Sequence, residues 1–116
     1  MPETSPSFDE QAALARVAGD TDLLHEIAGI YLDCYGSMIQ GVHDAVAAHD
    51  ADALKSAAHL LKGTVATFEA VAATELAMRL EHMGRDGTLT GAAAAAAELD
   101  VEVARLAEDL AAYREG

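Results

Sequence analysis

The sequence predicts an all-α protein: an antiparallel up-down four-helix bundle with a short additional N-terminal helix. Three observations carry that prediction. Alanine makes up about a quarter of the chain, aromatics are only 4%, and both prolines, Pro2 and Pro6, lie in the first six residues. Apolar residues recur at spacings of three and four along four long segments. The segments are joined by short breaks rich in glycine and aspartate, as in bundles whose successive helices run antiparallel. No alternating strand pattern competes.

Residues 1–7 read as a flexible tail, and residues 8–116 as one helical domain. A short first helix covers about Phe8 to Val17, with Phe8, Leu14 and Val17 apolar. Gly19 ends it, and Asp20 or Thr21 can cap the second helix. That helix runs from about Asp22 to Ala48 on a stripe of Leu24, Ile27, Tyr31, Cys34, Met38 and Val42. His49 and Asp50 break the pattern, and Asp50 can cap a third helix ending near Thr67 or Phe68. The fourth covers about Ala70 to Met83, with Ala73, Leu76, Leu80 and Met83 on one side. Gly84, Gly87 and Gly91 bracket a loop. The last helix runs from about Thr90 to Tyr113, and the alanine run 92–97 forms its thin, close-packed start.

Composition excludes several functions. A formal charge of −13 and a pI near 4.4 repel nucleic acid and anionic lipid. No apolar run approaches the roughly 18 residues of a membrane span. The first residues lack the basic-then-apolar pattern of a secretory signal. One cysteine, Cys34, excludes an internal disulfide and suits a reducing compartment, so the cytoplasm is expected.

The third helix carries the unusual chemistry. At about 100° per residue, Leu54, Ala58, Leu61, Val65 and Phe68 share one face, and His59 lies about 140° from Leu54, toward water. The chain has two lysines, Lys55 and Lys62, and both lie within one helical turn of His59. In so acidic a chain, ammonium groups gathered around an exposed imidazole suit an anion held on the ring. Gly63 stands one turn beyond His59, where alanine would be about 1 kcal/mol better for the helix. Its lack of a side chain leaves room for another protein to approach. Ser56, Ala66 and Thr67 keep the same surface low. A surface histidine beside lysine is also a common solubilising pattern, so these residues alone leave both readings open.

The stretch Ala58-His59-Leu60-Leu61-Lys62-Gly63 resembles the signature of histidine-phosphotransfer domains. Thr64 to Ala70, the pair Leu80-Glu81, and Phe8-Asp9 with Gly19-Asp20 and Leu23-Leu24 extend the resemblance over most of the folded part. The resemblance implies a phosphorelay intermediate. His59 would accept a phosphoryl group, Lys62 would steady it, and Gly63 would give access. Lys55, Ser56, Ala66, Thr67 and Glu69 would be supporting residues. Partners would be response-regulator receiver domains, which would supply Mg²⁺, and a sensor histidine kinase. Glu69 departs from the pattern, standing where the family usually has glycine. If the helices are antiparallel, residues near Ile39 to His43 and near Arg79 to His82 should be level with His59.

No glycine-rich phosphate loop is present, so neither ATP binding nor autonomous kinase activity is expected. No cofactor or metal of its own is expected, because the other histidines lack ligand spacing. Glu75 and Glu81 read as a solvated face and Cys34 as core. Two other readings suit a helical bundle: a docking module that binds a receiver or kinase without carrying phosphate, and an unrelated bundle enzyme or metal carrier. His59, Lys62 and Gly63 together speak against the first. Nothing in the pattern calls for a dimer, and a monomer is expected.

Overall fold

A computed structural model describes residues 6–115. The chain forms α1 (Glu10–Arg16), α2 (Thr21–Ala47), α3 (Ala51–Ala66), α4 (Val71–Asp86) and α5 (Ala92–Glu115), with no strand among the described residues. α2 packs on α3 and α5, and α4 packs on the same two, so four helices close a ring around one core. α1 lies against α2 at one end of that ring.

Local chemistry explains the starts. Asp9, Asp20 and Asp50 each accept a hydrogen bond at 3.0 Å from the backbone N–H three residues on, capping α1, α2 and α3. α4 starts at Ala70 with no side-chain cap.

All four helix-to-helix turns use one device. A residue in left-handed conformation follows the helix, and the next N–H bonds to the carbonyl five residues back. These bonds are Gly19 to Leu14 (2.8 Å), Asp50 to Ala45 (3.0 Å), Ala70 to Val65 (3.3 Å) and Thr88 to Met83 (3.1 Å). In the last turn the residue that follows the helix is glycine, Gly87; in the others it is Ala18, His49 or Glu69, with φ of 53–55°, and in the first turn Gly19 is left-handed as well.

The core is made of small and aliphatic side chains. Leu24, Leu54, Leu61, Leu80, Leu99, Leu106 and Leu110 are fully buried, and Tyr31 and Phe68 are its large rings. The Tyr31 hydroxyl donates to the Val103 carbonyl at 2.9 Å, which satisfies it in the interior and ties α2 to α5. Burial pushes the Tyr31 phenol above its ordinary range, and neighbouring Tyr35 adds to the shift. The alanine run presents Ala92, Ala95 and Ala96 to the core and leaves Ala93, Ala94 and Ala97 exposed.

The structure corrects several details. Cys34, Ile27 and Met38 are half-buried at the edge of α2, whereas Ala28, Ile39 and Ala45 are buried with Leu24, Tyr31 and Val42. Ser7, expected in the tail, is buried, and its hydroxyl donates to Asp109 at 2.6 Å; residues 1–5 lie outside the described part. Gly84 is not a loop residue but a buried position inside α4.

A Cβ at Gly84 would stand 2.5 Å from the Lys55 nitrogen, 2.7 Å from the Ala51 carbonyl oxygen and 2.9 Å from the Lys55 Cα. These are backbone atoms that cannot swing aside, so α3 and α4 approach closely only because position 84 is bare. At Gly63 an added Cβ would meet nothing within 4 Å.

Two variants should therefore move stability in opposite directions in urea titrations. Gly84→Ala should destabilise by about 2 kcal/mol or more, because α3 and α4 must part. Gly63→Ala should stabilise by up to about 1 kcal/mol, through helix propensity alone. In the same assay Glu69→Gly should stabilise by about 1 kcal/mol through relief of the left-handed strain.

Candidate functional site

His59 lies in the middle of α3, with its side chain 69% exposed. Its Nδ1 stands 2.6 Å from Oε2 of Glu81, on the facing side of α4. The other oxygen of the same carboxylate, Oε1, accepts from Lys62 Nζ at 2.6 Å. Lys62 follows His59 by three residues, so the two side chains share a helix face. Glu81 spans that pair from the neighbouring helix, and its side chain is only 14% exposed.

The carboxylate decides the protonation pattern. The hydrogen bond from Lys62 is the largest influence holding the Glu81 carboxyl below its ordinary range, and the bond from His59 acts the same way; partial desolvation opposes both. An ionised carboxylate only accepts hydrogen bonds. The Nδ1 of His59 therefore carries the proton and donates it to Glu81. In the neutral ring, Nε2 then bears the free lone pair. Glu81 selects the tautomer and fixes the ring plane, as second-sphere carboxylates do for other functional histidines.

The surroundings are open. Gly63 and Ser56 are exposed, and Leu60, next to His59, is 57% exposed. Met78, one turn from Glu81 on α4, is 39% exposed. An added Cβ at Gly41 of α2 would lie 3.8 Å from the Ala57 Cβ, which puts Gly41 level with Ala57, two residues before His59; of the expected strip 39–43, Ile39 and Val42 are buried and His43 pairs with Asp100. Glu81 falls within the strip 79–82 expected on the fourth helix.

The remaining expected residues are distributed differently. Lys55 is exposed one turn before His59, and its backbone forms the Gly84 crossing. Ala66 is half-buried, and Thr67 donates its hydroxyl to the Gly63 carbonyl at 3.0 Å. Glu69 stands ten residues beyond His59, about 15 Å along the helix axis. Its carboxylate accepts from Arg16 Nε at 3.3 Å and links the α3–α4 turn to α1. Glu69 thus belongs to the lid end of the bundle rather than to the imidazole. Glu81, expected on a solvated face, is the residue that sequence reasoning missed. The signal was available: it is the one carboxylate in the strip 79–82.

The other histidines do not join this site. His43 Nε2 pairs with Asp100 at 2.8 Å, and His25 packs edge-on against Tyr113. Among the described residues no group of three or more His, Cys, Asp or Glu side chains could hold a metal ion, and no helix is long and apolar enough to cross a membrane.

A four-helix bundle that presents an oriented, solvent-facing imidazole beside an ammonium group has the construction of a carrier rather than of an enclosed catalyst. The chain belongs to the Hpt domain family, whose model matches residues 21–113, and it is a histidine-containing phosphotransfer protein of phosphorelays. Its fold is similar to the crystal structure of histidine-containing phosphotransfer protein B from Pseudomonas aeruginosa PAO1, with a TM-score of 0.87 and 23% identity over 97% of each chain. A search of the curated proteins finds no match.

The pH dependence of folding should report the bridging carboxylate. Because its folded-state value is depressed, ionised Glu81 stabilises the fold above its ordinary value of 4.5, and this is lost as pH falls through the lower folded-state value. Glu81→Gln should therefore flatten the stability profile on the acid side, measured by urea midpoints between pH 7 and 3.

Proposed function

We propose that His59 Nε2 is the phosphoryl acceptor. The observation that carries this reading is the bridging carboxylate: Glu81 binds the Nδ1 proton and leaves Nε2 as the free nucleophile, turned to solvent. The Nε2 lone pair attacks the phosphorus of a phospho-aspartate on a receiver domain or of a phosphohistidine on a sensor kinase. The N–P bond forms, the P–O or P–N bond of the donor breaks, and the donor group leaves with its electron pair. The ring gains positive charge while Nδ1 keeps its proton against the Glu81 carboxylate, so no proton has to be lost during the step. Lys62, one turn away, supplies an ammonium group for the phosphoryl oxygens.

Transfer onward to a receiver is the reverse geometry with a new acceptor carboxylate. Such transfer depends chiefly on alignment and charge neutralisation. Mg²⁺ is assigned to the receiver, and Gly63 leaves the clearance its active site needs. Leu60 and Met78 supply apolar contact on either side of the imidazole. We place the relay in the cytoplasm, where the lone thiol of Cys34 stays reduced, and a charge of −13 favours a monomer over self-association.

The test is incubation with phosphoramidate and, separately, with a phosphorylated receiver domain and Mg²⁺, read by intact mass and acid stability. One acid-labile phosphoryl group should add to the native chain and none to His59→Gln. Failure of both donors to load the native chain would sink the acceptor assignment. Gly63→Ala should fold at least as well as the native chain yet exchange with the receiver about tenfold more slowly or worse, since misplacement by an ångström is costly in aligned transfer.

A further inference from the structure

The α4–α5 face carries a groove that the phosphotransfer site does not use. Its larger part, about 1080 Å³, is lined by Val71, Ala72 and Glu75 of α4, Arg105, Glu108 and Asp109 of α5, and the segment 6–11 that closes one end. A second part of about 390 Å³ shares Ala72 and Glu75 and continues along Leu76, Arg79, Glu98 and Val101. The two form one channel between antiparallel helices. From Glu98 to Asp109 it follows eleven residues of α5, about 16 Å of helix.

Two features of this channel point to an occupant. The first is apolar exposure. Val71 and Val101 are 63% and 58% exposed, and Leu76 is only partly covered. Small Ala72 keeps the floor low between them. The second is charge. Six carboxylates line the larger part against one guanidinium, Arg105, which already pairs with Glu102 at 2.8 Å. Asp9, Asp109 and Glu69 are engaged within the chain. Glu75 and Glu108 are exposed and make no hydrogen bond or ion pair with other described residues.

The channel lies on a different face of α4 from the chemistry: Arg79, at its near end, is turned about 200° from Glu81 and pairs with Glu98 of α5. Val71 lies ten residues from Glu81, about 15 Å along α4. The segment 6–11 that closes it precedes the residues matched by the family model. By contrast, Lys55 and Lys62 lie on the His59 side of α3, so the two surfaces differ in sign as well as position.

We infer that this channel is a second docking surface, which takes a basic amphipathic helix from a partner protein while His59 stays accessible. A groove between two helices accepts a third by laying an apolar stripe along the floor, with anchors at helical spacing. The acidic rims select lysine and arginine on the flanks of that helix and steer its approach. A second copy of this chain would bring a matching excess of negative charge, and nucleic acid would be repelled, so charge complementarity favours a cationic protein segment over either. Docking there would tether a relay partner, or a regulator of one, without blocking transfer.

The probe is an amidated peptide of about twelve residues, ~18 Å as a helix, with leucines at positions i, i+3, i+4 and i+7 and lysine or arginine elsewhere. It is titrated into the ¹⁵N-labelled full chain at physiological ionic strength, with amide shifts as the readout. Shifts should cluster at Val71, Ala72, Glu75 and Leu76 of α4 and at residues 98–109 of α5, and spare Met78 and the residues around His59. Val71→Asp and the double change Glu75→Lys with Glu108→Lys should each weaken binding about tenfold or more, while His59→Gln should leave it unchanged. A peptide of equal charge with its leucines dispersed should bind at least about tenfold more weakly. Shifts scattered over the acidic surface, equal binding of the dispersed peptide, or indifference to the groove variants would overturn the inference. Both groove variants change exposed side chains, and their native-like amide spectra would separate lost binding from lost folding.

Discussion

The close crossing of α3 and α4 at Gly84 is the constraint on which the site depends. With backbone atoms of Ala51 and Lys55 within 3 Å of where a side chain would start, the two helices are locked at one height and one separation. Antiparallel helices in that register bring residue 81 opposite 59 and 62. A displacement of one residue on α4 would turn the Glu81 carboxylate by about 100° and leave both the imidazole and the ammonium group without it. A bare position in the core thus governs a hydrogen-bond pattern on the surface.

The carboxylate serves two neighbours of different character. Against Lys62 it neutralises a cation within an otherwise acidic molecule; against His59 it decides which ring nitrogen carries the proton and which the free lone pair. Both functions require the carboxylate to be ionised, and the bond from Lys62 contributes most to keeping it so. The ammonium group of Lys62 therefore helps to maintain the tautomer that leaves Nε2 free.

Glu69 illustrates how a departure from a family pattern acquires a physical meaning. Its left-handed φ of 54° explains why glycine suits the position: glycine reaches this conformation without the strain a Cβ imposes. Ala18 and His49 carry the same strain in the two preceding turns. In exchange Glu69 reaches Arg16, an exposed ion pair of small energetic weight that nevertheless links α1 to the α3–α4 turn. The substitution acts on the lid end of the bundle, away from His59.

Local sequence determined the four-helix architecture, the aspartate caps at positions 20 and 50, the solvent-facing placement of His59 and its lysine at one helical turn. Each follows from a period of 3.6 residues or from a side chain bonding to its own backbone nearby, and such information is written in consecutive residues. Only the tertiary structure decided what lies between helices. It alone showed that Gly84 is a packing position rather than a loop, that Cys34 sits at the edge of the core, that Glu81 bridges His59 and Lys62, and that Glu69 turns toward Arg16. These facts depend on the relative height and rotation of two helices, which a few ångströms of packing settle. A stripe of small and aliphatic residues determines which face is buried, and the fit against the neighbouring backbone determines the register.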